Sequence, residues 1–413
     1  MEPQGGGIVT KRHLWALLVV AGSVAATAAE AHPLQGYLYG TVKTRSGQDY
    51  TGVLRWGKEE AFWDDHFNSV KKDLPYHKYL PDSERRKKKQ MNIDVFGKDV
   101  DVTWDGDYVS RQFVARFGDI SAIEPDGNER ADVTMKDGSV ERVDGGSNDI
   151  GAEITIRNDT VGEVKVPWDR IDIITFRSTP SDVDVDGSRL AGTVVTDGGE
   201  FSGFIQWDSD ECLTTDKLDG ESEDGKMSIP FGRIRVIARD GSSSRVTLAD
   251  GRVLDLSGSN DVDESIRGIL IEDPRYGRVK VGWEAFDKVT FRENRDSGRA
   301  YEDFPAPHEI RGTVVDRDGA SHAGRIVIDL DEEHSWEFLN GGNSDVDYFI
   351  PMGSVRSIEP RRRGSLVVLR DGGQLELREG KDISADSDGV LIWSRETMKT
   401  YVSWDNVDRI TFE

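Results

Sequence analysis

The sequence predicts an all-β protein made of three tandem copies of one unit. Four short sequence blocks recur three times in the same order, and self-similarity at a nearly constant spacing is the signature of a repeated structural unit. Between these blocks, short runs rich in Val, Ile, Thr, Phe and Trp alternate with turns that contain Gly, and no stretch follows a helical period. Both observations favour strands over helices along the whole repeated region.

The composition is that of an acidic globular chain. Its 413 residues include 53 Lys and Arg against 77 Asp and Glu, which gives a formal net charge of -24. Because such a surplus of acid repels phosphate backbones, we expect no nucleic-acid partner. The aromatic residues, ten Trp, ten Tyr and fifteen Phe, are numerous enough to build hydrophobic cores.

The N-terminus has the pattern of a secretory signal. Lys11 and Arg12 precede an apolar run at 14–20, which is followed by small residues up to Ala29. We therefore predict a signal peptide at 1–31 and an exported, periplasmic or extracellular protein. The alternative is a retained membrane anchor, but the uncharged run at 14–29 is shorter than the ~20 residues that span a bilayer, so no integral span is expected after cleavage. Cys212 is the only cysteine, so the chain cannot form an internal disulfide.

The first recurring block predicts a hairpin. In each copy two glycines bracket a strand, a turn and a returning strand, and the pairs are Gly40 with Gly52, Gly192 with Gly203, and Gly312 with Gly324. The second block is an aromatic residue or Met followed by Gly, at 117–118, 231–232 and 352–353. It precedes the third block, which carries Asp-Gly at 137–138, 250–251 and 371–372. Asp-Gly between alternating apolar residues is a strong hairpin signal.

The fourth block closes each copy. It starts with Trp and ends in Thr-Phe, at 168–176, 283–291 and 404–412, and it predicts a turn followed by a final strand. The copies then occupy 34–178, 188–294 and 308–413, and the first carries an insertion at about 64–112. Each copy contains two halves that begin with a hairpin. Since small twisted sheets usually close on themselves and so remove exposed edges, we predict that each copy is a pair of small barrels.

The first half of each copy resembles the Sm-like or SH3-like small barrel. The residues that carry the resemblance are Gly199-Glu200-Phe201-Ser202-Gly203-Phe204-Ile205-Gln206-Trp207-Asp208, a turn, a glycine and an apolar-x-apolar-Asp run. The resemblance implies a five-stranded bent barrel of the kind used for ligand or protein contact. The Asn with which Sm proteins hold RNA bases is replaced by Cys212-Leu213-Thr214, so RNA binding is not implied.

Paired acids follow the returning strand of each copy and are candidate binding residues. They are Glu59 and Glu60, Asp210 and Glu211, and Asp331 and Glu332. A second acid recurs at Asp149, Asp261 and Asp382. One interpretation is a repeated binding face or three equivalent cation sites, because carboxylate oxygens are Ca²⁺ ligands. The alternative is that these acids cap turns through their own backbone.

The linker between the first two copies contains a candidate metal site. Asp182, Asp184 and Asp186 alternate and are followed by Gly187, as in the first half of a calcium loop. The twelfth position is Thr193, where that loop requires Glu. Calcium binding and a solvated linker both remain open.

The insertion in the first copy holds two further candidates. One is the basic run Arg85, Arg86, Lys87, Lys88 and Lys89, which predicts either contact with an acidic partner or a solvated loop. The other is a zinc site formed by Asp64, Asp65, His66 and His77, which a hydrolase could use, although their spacing matches no established zinc-ligand pattern. We find no nucleophile elbow, His-Glu-x-x-His helix or phosphate-binding loop in the sequence.

Repetition without a repeated catalytic set predicts a protein that is not an enzyme. We expect it to bind a protein, a glycan or an envelope polymer through its repeated β-barrel surfaces, without a cofactor. The alternatives are an adhesion or matrix protein stabilised by calcium, and a hydrolase that uses the insertion. The sequence leaves the oligomeric state open.

Overall fold

The fold is all-β and antiparallel, as the sequence predicts. The computed structural model of the chain describes residues 34–71, 73–82, 93–95, 98–100, 111–145, 147, 149–158, 160–395 and 398–413. The predicted signal peptide and the basic run from Arg85 to Lys89 lie outside the described residues. Single 3-10 turns occur at His77–Tyr79, Phe117–Asp119, Trp168–Arg170, Phe231–Arg233, Tyr301–Asp303, Met352–Ser354 and Trp404–Asn406.

The strands fall into three groups in chain order. The first segment (34–178) contains β1 (Tyr39–Thr44), β2 (Asp49–Trp56), β3 (His66–Lys71), β4 (Ile93–Val95), β5 (Lys98–Val100), β6 (Arg111–Arg116), β7 (Ile120–Pro125), β8 (Arg130–Met135), β9 (Val140–Asp144), β10 (Ile154–Asn158), β11 (Gly162–Val166) and β12 (Ile171–Phe176). The second segment (188–294) contains β13 (Ala191–Thr196), β14 (Gly199–Gln206), β15 (Lys217–Ser222), β16 (Gly225–Pro230), β17 (Ile234–Asp240), β18 (Ser243–Leu248), β19 (Val253–Leu256), β20 (Ile269–Asp273), β21 (Gly277–Val281) and β22 (Phe286–Phe291). The third segment (308–413) contains β23 (Arg311–Asp316), β24 (Ser321–Ile328), β25 (Phe338–Asn343), β26 (Val346–Pro351), β27 (Val355–Pro360), β28 (Ser365–Leu369), β29 (Gln374–Leu377), β30 (Val390–Arg395), β31 (Met398–Val402) and β32 (Val407–Phe412).

One strand order is common to the three main sheets. The first sheet runs β11-β10-β2-β1-β12-β7-β8-β9-β3-β6, and its first eight positions correspond to β21-β20-β14-β13-β22-β17-β18-β19 and to β31-β30-β24-β23-β32-β27-β28-β29. In each segment, therefore, the opening hairpin lies between the closing strand on one side and a later strand on the other.

The two halves of a segment are not separate barrels, which corrects the sequence expectation. Strands β1 and β2 of the first half pair with β12 and β10 of the second half. Val42 and Trp56 lie in the same hydrophobic core as Ile123 and Ile174. The physical reason is that an isolated hairpin has no second layer to cover its apolar face, so the two halves share one sheet and one core.

The repeated turn signals form the predicted local structures. The Asp-Gly turns join β8 to β9, β18 to β19 and β28 to β29, and their glycines have φ of +85°, +89° and +95°. The closing Trp of each segment begins a turn that leads into β12, β22 or β32. These features depend on near neighbours in the sequence, which is why the sequence predicts them.

The paired glycines of the first recurring block have a role beyond the formation of the turn between them. Gly40 pairs with Gly52 inside the β1–β2 hairpin, and Gly192 with Gly203 and Gly312 with Gly324 pair in the same way. A Cβ at Gly52 would lie 1.9 Å from the carbonyl oxygen of Arg157 on the neighbouring strand. The absence of a side chain therefore lets a neighbouring strand approach closely.

The insertion in the first segment is shorter than the range of about 64–112 that the sequence suggests. Strand β3 pairs with β6 in the same way as β15 with β16 and β25 with β26. His66–Lys71 and Arg111–Arg116 therefore belong to the sheet, and the additional chain of the first segment lies between them.

Contacts between the segments are extensive. Strand β26 of the third segment pairs with β21 of the second, so the hairpin β25–β26 extends the second sheet. Lys71 of the first segment pairs with Asp331 of the third at 3.0 Å. Cys212 of the second segment is buried beside Phe62 of the first. The described residues from 34 onward form one compact unit.

Candidate functional site

The predicted acid pairs occupy equivalent tight turns. Each turn follows β2, β14 or β24, and a backbone hydrogen bond closes it, for example from Trp207 N–H to the Glu211 carbonyl at 2.8 Å. Asp208 and Asp329 have φ of +50° in these turns, and Gly57 takes the corresponding position with φ of +57°. The turn directs the following carboxylates toward the loop that precedes β10, β20 or β30.

The second recurring acid joins each turn from that loop. Asp149 Oδ2 accepts the backbone N–H of Asn68 at 2.6 Å, Asp261 Oδ2 accepts that of Asp219 at 2.7 Å, and Asp382 Oδ2 accepts that of Asn340 at 2.8 Å. These bonds reach a neighbouring strand and do not close a turn of the acid's own backbone. The structure thus forms three acid clusters, which we call the first (Glu59, Glu60, Asp149), the second (Asp208, Asp210, Glu211, Asp261) and the third (Asp329, Asp331, Glu332, Asp382).

Burial raises the pKa of carboxyl groups in each acid cluster, among them Asp149, Glu211, Glu332 and Asp382. It raises the pKa of Glu211 to about 9 and that of Asp149 to about 8, and neighbouring acids add to the effect. The pKa of Asp382 rises to about 7, and that of Glu332 rises well above its usual value for the same two reasons. Each cluster therefore favours a proton or a cation over uncompensated charge.

The three clusters differ in the cations that contact them. In the second cluster, Arg267 Nη2 lies 3.0 Å from Asp208 and 3.3 Å from Asp210. The same side chain approaches Glu59 of the first cluster at 3.7 Å. In the third cluster, Lys381 Nζ lies 2.9 Å from Asp329.

The linker acids lie apart from these clusters. Asp182, Asp184 and Asp186 are exposed, and Arg157 lies 3.9 Å from Asp184 and 3.8 Å from Asp186. Within the described ranges, two sets of three carboxylates lie close enough together to share an ion. One set belongs to the first acid cluster and the other to the third. Calcium binding by the linker stays a prediction.

Of the residues of the hydrolase interpretation, Asp64 and Asp65 have an arginine partner, whereas both ring nitrogens of His66 are buried without a hydrogen-bond partner among the described residues. Asp64 and Asp65 form ion pairs with Arg189 at 3.2 and 3.6 Å. His66 is fully buried with its ring 4.5 Å from that of Phe338, and burial lowers its pKa well below the usual value. His66 is therefore a neutral core residue.

Sequence reasoning missed a cavity of about 720 Å³ where the three segments meet. We call it the junction cavity. Four arginines line it, Arg116 from the first segment, Arg275 from the second, and Arg292 and Arg299 from the chain between β22 and β23. Phe204 and Trp336 supply aromatic surface, and the acids of its wall are Asp64, Asp119, Glu272 and Asp273.

Most acids of the cavity wall already have an arginine partner. Asp64 pairs with Arg189, Asp273 with Arg275, and Glu272 with Arg278. Across the part of the chain that the structure describes, no ion pair within 4.0 Å involves the remaining cavity arginines, which are Arg116, Arg292 and Arg299. The junction cavity therefore carries an excess of positive charge, which Asp119 opposes in part, inside an acidic protein.

Among the described residues, two buried donors and one acceptor of the cavity wall have no hydrogen-bond partner. They are Arg116 Nε, Trp336 Nε1 and Asp119 Oδ2. Burial raises the pKa of Asp119 to about 6, although Arg116 and Arg299 oppose the rise. Burial, together with the charge of Arg116, lowers the pKa of Arg299. Such unsatisfied groups are costly in a closed wall and are typical of a site that receives a ligand.

The signal that sequence reasoning overlooked was the aromatic content of the linker between the second and third segments. Tyr301 and Phe304 anchor that linker against the core of the first segment. Lys136 Nζ lies 3.6 Å from the centre of the Tyr301 ring and donates a hydrogen bond to the Phe304 carbonyl at 3.0 Å. The anchored linker holds Arg299 at the cavity.

Comparison with protein-family models, curated proteins and solved structures found no match to this chain. Among the described residues, no helix is long and apolar enough to cross a membrane. The functional argument therefore depends on the geometry of the sites themselves.

Proposed function

We propose that the chain is an exported, non-enzymatic binding protein that holds an anionic segment of an envelope polymer or glycan in the junction cavity. The proposal includes three tandem copies of one unit, as the recurring sequence blocks predict, and export through the predicted signal at 1–31. The observation that carries it is a set of three arginines around one cavity, Arg116, Arg292 and Arg299, that form no ion pair with any acid of the described residues.

The electrostatics support an anionic ligand. A chain of net charge -24 repels anions over most of its surface. Ligand carboxylate or sulfate oxygens at the cavity would face Arg292 and Arg299 and would accept hydrogen bonds from Arg116 Nε. Charge-assisted bonds of this kind are stronger than neutral ones, and desolvation strengthens them further.

The size and lining of the cavity support a ligand of a few sugar or polymer units. Its volume of about 720 Å³ lies within the ~300–1,000 Å³ of typical small-ligand sites. Phe204 and Trp336 add apolar surface beside the arginines, which suits the apolar faces of sugar rings. In this proposal the Sm-like or SH3-like resemblance contributes only the expectation of a binding module.

Substitution of Arg292 by Gln tests the proposal. We expect the mature protein to bind tetragalacturonate, as a charged probe, and not maltotetraose, its uncharged counterpart. Because Arg292→Gln removes an unpaired charge that supports no other side chain in the described structure, it is expected to weaken tetragalacturonate binding at least about 10-fold. Isothermal titration calorimetry measures both affinities.

Arg378→Gln is the matched control for this test, because Arg378 is an exposed arginine remote from the cavity lining. Its affinity for tetragalacturonate should equal that of the parent protein. Equal binding of the charged and uncharged probes, or an unchanged affinity in Arg292→Gln, would contradict the proposal.

Anion binding is expected to weaken as the pH rises through the pKa of Asp119, about 6. Below that pH the Asp119 carboxyl is neutral, so one negative charge fewer faces the cavity arginines. Above that pH the Asp119 carboxylate offsets part of the charge of Arg116 and Arg299. Affinity for tetragalacturonate should therefore fall at least about 5-fold between pH 5 and pH 7.5. Asp119→Asn should keep the high affinity at both values, and an identical pH profile in this variant would exclude Asp119 as the cause.

A further inference from the structure

We propose that the third acid cluster binds a divalent cation, with Ca²⁺ as the best fit, between the carboxylates of Asp329, Glu332 and Asp382. This site is separate from the junction cavity and does not depend on the proposed function. The argument uses the distances among the carboxylates, one buried oxygen without a partner, and the contrast with the second cluster.

The geometry fits one ion. Carboxylate oxygens from Asp329, Glu332 and Asp382 all lie within 4.8 Å of one another. Ca²⁺ binds oxygen at ~2.3–2.6 Å, so ligands on opposite sides of the ion are separated by about 5 Å. One cation can therefore contact all three side chains.

Glu332 provides the independent sign of a missing partner. The residue is 7% exposed, and its Oε2 is buried without a hydrogen-bond partner. Asp382 uses Oδ2 for the backbone N–H of Asn340, which fixes the side chain at the cluster. A buried carboxylate without a donor or a cation is strongly disfavoured, and a metal ion would supply both charge and coordination.

Two lysines contact members of the third cluster other than Glu332 and Asp382, namely Lys71 at Asp331 and Lys381 at Asp329. Lys381 contacts Asp329 and Asp388 at 2.9 and 3.1 Å, and Arg111 also pairs with Asp388. Throughout the described part of the chain, no Lys or Arg lies within 4.0 Å of the carboxylates of Glu332 or Asp382. Neither Glu332 nor Asp382 therefore forms an ion pair of its own with a Lys or Arg of the described residues.

The second cluster has an arginine at its turn, although Glu211 Oε2 is buried there without a hydrogen-bond partner among the described residues, as Glu332 Oε2 is in the third cluster. Arg267 lies two residues before β20, and its guanidinium contacts Asp208 and Asp210. The residue two positions before β30 in the third segment is Asp388. At the position where the second segment has Arg267, the third segment therefore has an acid, and Lys381 contacts Asp329 and Asp388 in its place.

Ion counting on paired variants tests this inference. Equilibrium dialysis of the mature protein against ⁴⁵Ca²⁺ should show that Glu332→Gln binds one ion fewer per chain than the parent. Glu211→Gln, the same change at the equivalent position of the second cluster, should bind as many ions as the parent. Asp382→Asn is a second variant that should also lose one ion, and circular dichroism verifies that each variant is folded.

Thermal melting gives an independent readout. Millimolar Ca²⁺ should raise the Tm of the parent and of Glu211→Gln relative to EDTA, and the rise should be smaller in Glu332→Gln. A parent protein that binds no ion, or a Glu332→Gln variant that binds as many as the parent, would overturn the inference. The first outcome would indicate that a shared proton neutralises the cluster.

Discussion

Replacing Gly203 by Ala is expected to destabilise the protein by about 3 kcal/mol or more. A Cβ at this position would lie 1.8 Å from the carbonyl oxygen of Glu272 and 2.7 Å from its carbonyl carbon. Both atoms belong to the backbone of β20, so no side-chain rotation relieves the overlap. The strand would have to move away from β14, which would break the pairing of Ile205 with Ile271 and open the core behind it.

Urea denaturation measures this loss, and Gly198→Ala is the matched control. The nearest atom to a Cβ at Gly198 is the hydroxyl oxygen of Thr196, 3.8 Å away, so the control should change the free energy of unfolding by no more than about 0.5 kcal/mol. Similar losses in both variants would show that the close approach of β20 does not require glycine at 203.

The second large effect is expected for Lys71→Ala, with a loss of about 3–5 kcal/mol. Lys71 Nζ lies 3.0 Å from Asp331 and also contacts Glu337, and the three side chains are at most 10% exposed. Removal of the ammonium would leave two buried carboxylates facing each other where the first and third segments meet. The cost is mainly that of the unpaired buried charge.

Lys43→Ala provides the exposed comparison. Lys43 pairs with Asp172 at 3.2 Å, but half of each side chain is exposed, and such pairs contribute no more than about 1 kcal/mol. The two variants should differ clearly in urea midpoint. A small effect of Lys71→Ala would mean that this buried ion pair contributes little to the contact between the first and third segments.

The sequence alone determined the local β structure. The Asp-Gly turns and the closing Trp blocks depend on residues within a few positions of one another, and backbone preference at those positions fixes the turn. The recurring acids were also identified from sequence, because their positions follow from the repeated turn after β2, β14 and β24. The structure then groups these acids into clusters, because it places Asp149, Asp261 and Asp382 on the loops that face the three turns.

Tertiary structure alone decided how the halves of each segment combine and where the junction cavity lies. Pairing of β1 with β12 joins residues more than a hundred positions apart, and a hairpin motif does not specify which edge it will meet. The charge of the junction cavity was likewise invisible, because Asp64 and Glu272 are paired with Arg189 and Arg278 while Arg292 and Arg299 are not. The sequence gives the number of charged residues, but only the packing of the folded chain determines which charges are neutralised. Coulomb interactions depend on the distance between the charges and on their burial.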